Sequence, residues 1–107
     1  MNTNTFSKTI LIGYVGRDAA KVIKDDGGAF VASSIGLTEG DKTEWVDIYF
    51  NKKIEERALD KFKKGALVLV EGKPKAKVKF KNDSPMATLN ISDAIFKIIR
   101  NPTLNKE

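Results

Sequence analysis

Between residues 73 and 81 the chain alternates without interruption. Lysines stand at 73, 75, 77, 79 and 81, and Ala76, Val78 and Phe80 fall on the other parity. A period of two belongs to a strand and is incompatible with the 3.6-residue period of a helix. The segment therefore reads as an extended strand with one cationic and one apolar face. Successive lysines on it stand about 6.6 Å apart, twice the rise per residue, a spacing that resembles phosphates along a single nucleic-acid strand. Two readings are open. The row can follow a phosphate backbone, releasing counterions and making binding salt-dependent, or it can blunt an edge strand against edge-to-edge association. The two are compatible.

The rest of the chain is punctuated as often. Residues 8–13 read as a strand with the apolar body Thr9-Ile10-Leu11-Ile12, followed by Gly13-Tyr14-Val15-Gly16, whose glycines suggest a bulge or bend. A short strand at 21–24 precedes the turn Asp25-Asp26-Gly27-Gly28, and the return strand, 29–38, carries Val31, Ile35 and Leu37 on one parity. After a strand at 43–51, residues 54–62 read as a helix. Ile54, Ala58 and Phe62 recur every four residues there, and Lys63-Lys64-Gly65 closes it. The apolar strand 66–71, the bend at Gly72, the turn Asn82-Asp83-Ser84-Pro85, a strand at 86–92 and an apolar ending at 93–100 complete the order. Because crossover helices are missing, the pattern suits a small closed or partly closed barrel better than a parallel α/β sheet. The expectation is an all-β, five-stranded barrel with one short helix between strands, and a sandwich with one helix is the competitor. At 107 residues this is one domain, 1–107, with 101–107 as a flexible tail.

Composition narrows the chemistry. The chain holds no cysteine and no histidine, so disulfides, thiolate metal sites and imidazole bases are excluded. The paired acids Asp25-Asp26 and Glu55-Glu56 sit in a turn and on a helix, where carboxylates are ordinarily solvated. Gly13-Tyr14-Val15-Gly16 lacks the lysine and helix of a phosphate-binding loop. No enzyme activity, cofactor or metal is expected. The net charge of +5 admits a nucleic-acid partner. No apolar run approaches the roughly 20 residues of a membrane span, and the start is polar, so a soluble cytoplasmic protein is expected.

Within 43–51, Val46, Ile48 and Phe50 make a core face, and Trp45, Asp47, Tyr49 and Asn51 make the other. A tryptophan and a tyrosine among hydrogen-bonding neighbours suit a stacking platform for nucleobases. The alternative is that Trp45 packs in an oligomer interface or under a loop.

Taken together, several segments resemble the bacterial single-stranded DNA-binding protein family over residues 6–99. They are Lys8-Thr9-Ile10-Leu11-Ile12-Gly13-Tyr14-Val15-Gly16-Arg17-Asp18, Gly27-Gly28-Ala29, Thr43-Glu44-Trp45, Lys63-Lys64-Gly65 and Leu69-Val70-Glu71-Gly72. The resemblance implies an oligonucleotide/oligosaccharide-binding (OB) fold, usually tetrameric, that wraps single-stranded DNA in replication, recombination and repair. It implies base stacking by Trp45, DNA contact by Lys8, and a place for Arg17 near the same groove. Asn51 stands where the family has a stacking phenylalanine, which makes Tyr49 the candidate to compensate. The family's tryptophan on the lysine-rich strand maps near Lys79, beside Phe80, and the hairpin at 38–42 has no aromatic. The expected DNA-binding set is thus Trp45, Tyr49, Lys8, Arg17, Lys73, Lys75, Lys77, Lys79 and Phe80. Family members usually end in an acidic tip that recruits repair proteins. Its absence after residue 101 makes such recruitment doubtful and suggests a truncation or an accessory type. Alternatives are a tail-less assembly protein of primosomal kind, and a barrel binding RNA or saccharide.

Apolar side chains also exceed what one small core readily hides. Phe6, the non-core-parity Phe30, and Ile95, Phe96, Ile98 and Ile99 suggest an interface, and with the resemblance they lead to a homo-oligomer, tetramer or dimer.

Overall fold

Five strands close into a barrel in the order β1-β2-β3-β5-β4, the OB-fold expected. They are β1 (Thr9–Ile23), β2 (Ala29–Glu39), β3 (Lys42–Phe50), β4 (Leu67–Lys81) and β5 (Ser84–Arg100), with helix α1 (Glu55–Lys61) between β3 and β4. The structure is a computed structural model and describes residues 8–102, apart from the side chains at 79, 81, 86 and 87.

The segments expected at 8–13 and 21–24 are one continuous strand. Its first half pairs with β4 from Thr9↔Gly72 to Tyr14↔Leu67, and its second half pairs with β2 from Tyr14↔Gly36 to Ile23↔Ala29. The glycine-rich stretch does not end the strand. It hosts register shifts between Val15, Arg17 and Ala20, which bend β1 round the barrel. The side chain of Ser33, fully buried among the core positions of β2, donates to the Arg17 carbonyl at 2.6 Å. The loop after α1 holds the other edge: Val15 N–H donates to the Ala66 carbonyl and Ala19 N–H to the Phe62 carbonyl, both at 2.9 Å.

The helix is shorter than the 54–62 periodicity suggests. A 3-10 turn, Lys52–Ile54, leads into it, and Phe62 lies at its C-cap. The four-residue spacing still serves its purpose, because Ala58 and Phe62 are fully buried and Ile54 packs against the same core. Phe62 meets Phe50 and Phe96 edge-on, at centroid distances of 4.9 and 5.1 Å, a favoured aromatic geometry. Val31, Ile35, Val46, Ile48, Val68, Val70 and Ile91 fill the barrel between them.

β4 and β5 form one long hairpin, paired from Leu67↔Arg100 to Lys81↔Ser84. The segments read as 66–71 and 73–81 are thus one strand, as are 86–92 and 93–100. Gly72 lies where their register shifts, and a Cβ there would stand 2.6 Å from the Ile91 side chain and 2.7 Å from the Ser92 carbonyl oxygen. The turn is tighter than 82–85. Only Asn82 and Asp83 turn, both at positive φ (51° and 64°), the conformation that two-residue hairpins require. Pairing with β1 stops at Gly72, and pairing with β3 begins at Asn90. Beyond those points the hairpin is a two-stranded ribbon, so its lysines do lie on an edge.

Ser33→Ala removes the donor that satisfies the Arg17 carbonyl at the bend. A loss of about 1 kcal/mol is expected in urea unfolding. An unchanged midpoint would show that the bend does not depend on this bond.

Candidate nucleic-acid interface

Directly opposed residues share one face of a sheet. By that rule a single outward row crosses all five strands: Arg17↔Ser34, Ser34↔Asp47, Asp47↔Asn90 and Asn90↔Lys75. Trp45 and Tyr49 flank Asp47 on β3, and Lys73 and Lys77 flank Lys75 on β4. The fold thereby sets the aromatic strand and the lysine strand on one surface, with a single strand, β5, between them.

Trp45 is 59% exposed. Its ring sits on two glycines: a Cβ at Gly16 would come within 2.3 Å of it, and one at Gly36 within 3.0 Å. Gly36 is its direct partner on β2, and Gly16 lies within the bend of β1. The ring therefore rests on bare backbone with much of its surface open to solvent.

Tyr49 is half-buried and pairs with Phe30, their ring centroids 5.6 Å apart and their planes inclined at 59°. The Lys24 ammonium stands 5.7 Å from the centre of the Phe30 ring. These three side chains join Lys75, Lys77 and Asn90 in lining an open cleft of about 460 Å³. Among the described residues, none of Lys24, Lys75 and Lys77 has a carboxylate partner, so their charge is unneutralised. Phe30 and Lys24 are absent from the DNA-binding residues expected from the sequence. The outward parity of Phe30 was the available signal.

The remaining expected residues are divided. Arg17 is exposed on the row described above. Lys73 stands 3.9 Å from the Asp93 carboxylate, in a smaller cavity shared with Lys8, Glu71 and Asn51. Lys8 is ion-paired with Glu71 at 3.0 Å, so the structure places it at the root of the lysine strand and not beside Trp45. Phe80, 75% exposed, and Val78, 63% exposed, occupy the ribbon face opposite the lysines and away from the other aromatics. The Lys79 backbone pairs with Met86, and its side chain lies outside the described residues. Asn51 supports local structure. Its side-chain carbonyl oxygen accepts from Lys53 N–H at 2.8 Å, and its amide donates to Asp93 at 2.5 Å.

Chemically, this surface offers rings for stacking and unpaired cations for phosphates. Among the described residues no group of acids is arranged to hold a metal ion. The model of the family described as "Single-strand binding protein family" matches residues 6–89. Among solved structures, the chain is similar to a Plasmodium falciparum SSB in complex with ssDNA, with 22% identity, TM-score 0.69 and coverage of 92% of this chain and 99% of that one. It is also similar to Rim1, a mitochondrial single-stranded DNA binding protein of S. cerevisiae, with 24% identity, TM-score 0.72 and the same coverage. At these identities the two structures speak for the fold.

Proposed function

The chain belongs to the single-strand binding protein family, and on that premise we propose that it binds single-stranded DNA without regard to sequence, as a binding protein and not an enzyme. The observation that carries this reading is the shared surface of Trp45, Tyr49, Lys75 and Lys77. Bases stack on the rings, which accept any base because every base has a π-face. Phosphates follow the lysines, whose period approximates that of an extended strand of DNA. Arg17 and Lys73 extend the basic surface on either side. A role in replication, recombination or repair is part of the proposal. Among the described residues no helix is long and apolar enough to cross a membrane.

A second observation favours assembly. On the outer face of the other half of the barrel, Ile10, Ile12, Tyr14, Ile95 and Ile99 are 44–57% exposed. The pairings Ile12↔Leu69 and Tyr14↔Leu67 add half-buried leucines to the same face. The patch differs from the one expected: Phe96 is in the core, Ile98 packs against it, and Phe6 lies outside the described residues. These exposed apolar side chains share the face with Glu71, Lys97 and Arg100. Clusters of exposed apolar residues rimmed by polar ones are characteristic of interfaces, and a homo-oligomer, tetramer or dimer, is proposed.

Trp45→Ala is expected to weaken binding to oligo-dT by about 1–3 kcal/mol, and unchanged affinity would remove the stacking role. Lys75→Ala and Lys77→Ala should each flatten the log–log salt dependence by about 0.7. If the lysines only guard an edge, the slope would stay as it is and the variants would aggregate. Light scattering at micromolar concentration should give a mass several times 11.8 kDa, and a monomer that still bound DNA would refute the assembly proposal alone.

A further inference from the structure

Asn90 is 4% exposed, yet among the described residues its side-chain amide makes no hydrogen bond to a protein group. It lines the cleft that Phe30, Tyr49, Lys24, Lys75 and Lys77 also form. The amide is not sealed from solvent, because among the described residues the buried side-chain atom without a partner is Glu55 Oε2; its donor and acceptor groups are therefore open to the cleft. The cleft's volume, about 460 Å³, lies within the range of roughly 300–1,000 Å³ common to small-molecule sites. Its walls are two aromatic rings on one side and two lysines without carboxylate partners on the other.

We infer that this cleft is a second nucleobase seat, in which a base stacks against the Phe30–Tyr49 pair and the Asn90 amide hydrogen-bonds its polar edge. This rests on the single-strand binding reading above and assigns to it a pocket distinct from Trp45. An amide offers a donor beside an acceptor, and nucleobase edges present the complementary pair. The cation over the Phe30 ring does not block the seat. A cation–π contact at an exposed site is weaker than base stacking, so an entering base displaces the Lys24 ammonium, which then meets the adjoining phosphate. Lys75 and Lys77 hold the same backbone from the opposite wall. The separation from Trp45 is consistent with a continuous strand: four residues along β3 span about 13 Å, twice the lysine spacing.

Two variants of the full chain, Phe30→Leu and Asn90→Leu, test this by oligo-dT titration, with urea unfolding as the control for the fold. Phe30→Leu is expected to lower affinity by at least about fivefold, the lower end of one lost stacking contact, and Asn90→Leu by about two- to tenfold, one lost hydrogen bond. The amplitude of Trp45 quenching should stay at its wild-type value, because the Trp45 seat has not changed. Asn90→Leu should fold as stably as the wild type, since the amide holds no protein group in place. A destabilised Asn90→Leu would show that the amide serves the fold and would overturn its role at the seat. Should Phe30→Leu lose the fold, Tyr49→Leu makes the same test. If the wild type binds and Trp45→Ala weakens it while Phe30→Leu and Asn90→Leu bind unchanged, this inference alone falls. If the wild type does not bind oligo-dT, the general reading falls and takes this one with it.

Discussion

One strand serving two neighbours sets the geometry of this barrel. β1 pairs with β4 along its first half and with β2 along its second, and it can do both only by bending between Val15 and Ala20. The bend disrupts the ladder there, and the freed groups find other partners. Ser33 Oγ takes the Arg17 carbonyl, while the Ala66 and Phe62 carbonyls take the Val15 and Ala19 amides. The loop after α1 is thereby tied to the same place, also through the Asp18 carboxylate, which accepts Lys64 N–H at 2.8 Å. Gly16 lies inside the bend, and it is one of the two glycines on which the Trp45 ring rests. The feature that closes the barrel therefore also seats the exposed tryptophan.

The outer surface divides along β4. Leu67 and Leu69 belong to an apolar face shared with Ile10, Ile12 and Tyr14, whereas Lys73, Lys75 and Lys77 belong to a basic one shared with β3 through β5. Both sets have the same parity, so no twist of the strand is needed to separate them. The boundary falls between Glu71 and Lys73, where β1 stops pairing and the β4–β5 register shifts. The acids lie at this boundary: Glu71 holds Lys8, and Asp93 holds Lys73. Farther along the ribbon, Lys75 and Lys77 are left for an outside partner. In the proposed reading, one strand carries an assembly surface at one end and a phosphate surface at the other.

Much of this is legible in the sequence, because alternation reports directly which side of a sheet a residue takes. Val46, Ile48 and Phe50 are buried, while Trp45 is exposed and Tyr49 half so, as the period of two requires. What alternation does not report is the identity of a neighbour. Residues 8–13 and 21–24 read as separate because glycines interrupt the apolar run, and only pairing with two different strands makes them one. Phe30 reads as surplus because Tyr49, its ring partner, lies on another strand. Lys8 reads as a contact for DNA, and its ion pair with Glu71 depends on a residue more than sixty positions away. Asn51 reads as a lost stacking position, and its capping of the 3-10 turn is hidden in local backbone geometry. In most of these cases the missing information is a tertiary partner, not a local preference.

Everything proposed for this surface depends on exposed aromatic rings and unpaired lysines acting together on single-stranded DNA. Trp45 is the only tryptophan in the chain, so its emission reports on that surface alone. A titration of the unmodified protein with oligo-dT at two salt concentrations reads both halves of the proposal at once. Quenching of Trp45 is expected at saturation in both, with an affinity that falls steeply as salt rises. Binding that leaves Trp45 emission unchanged, or an affinity indifferent to salt, would contradict it.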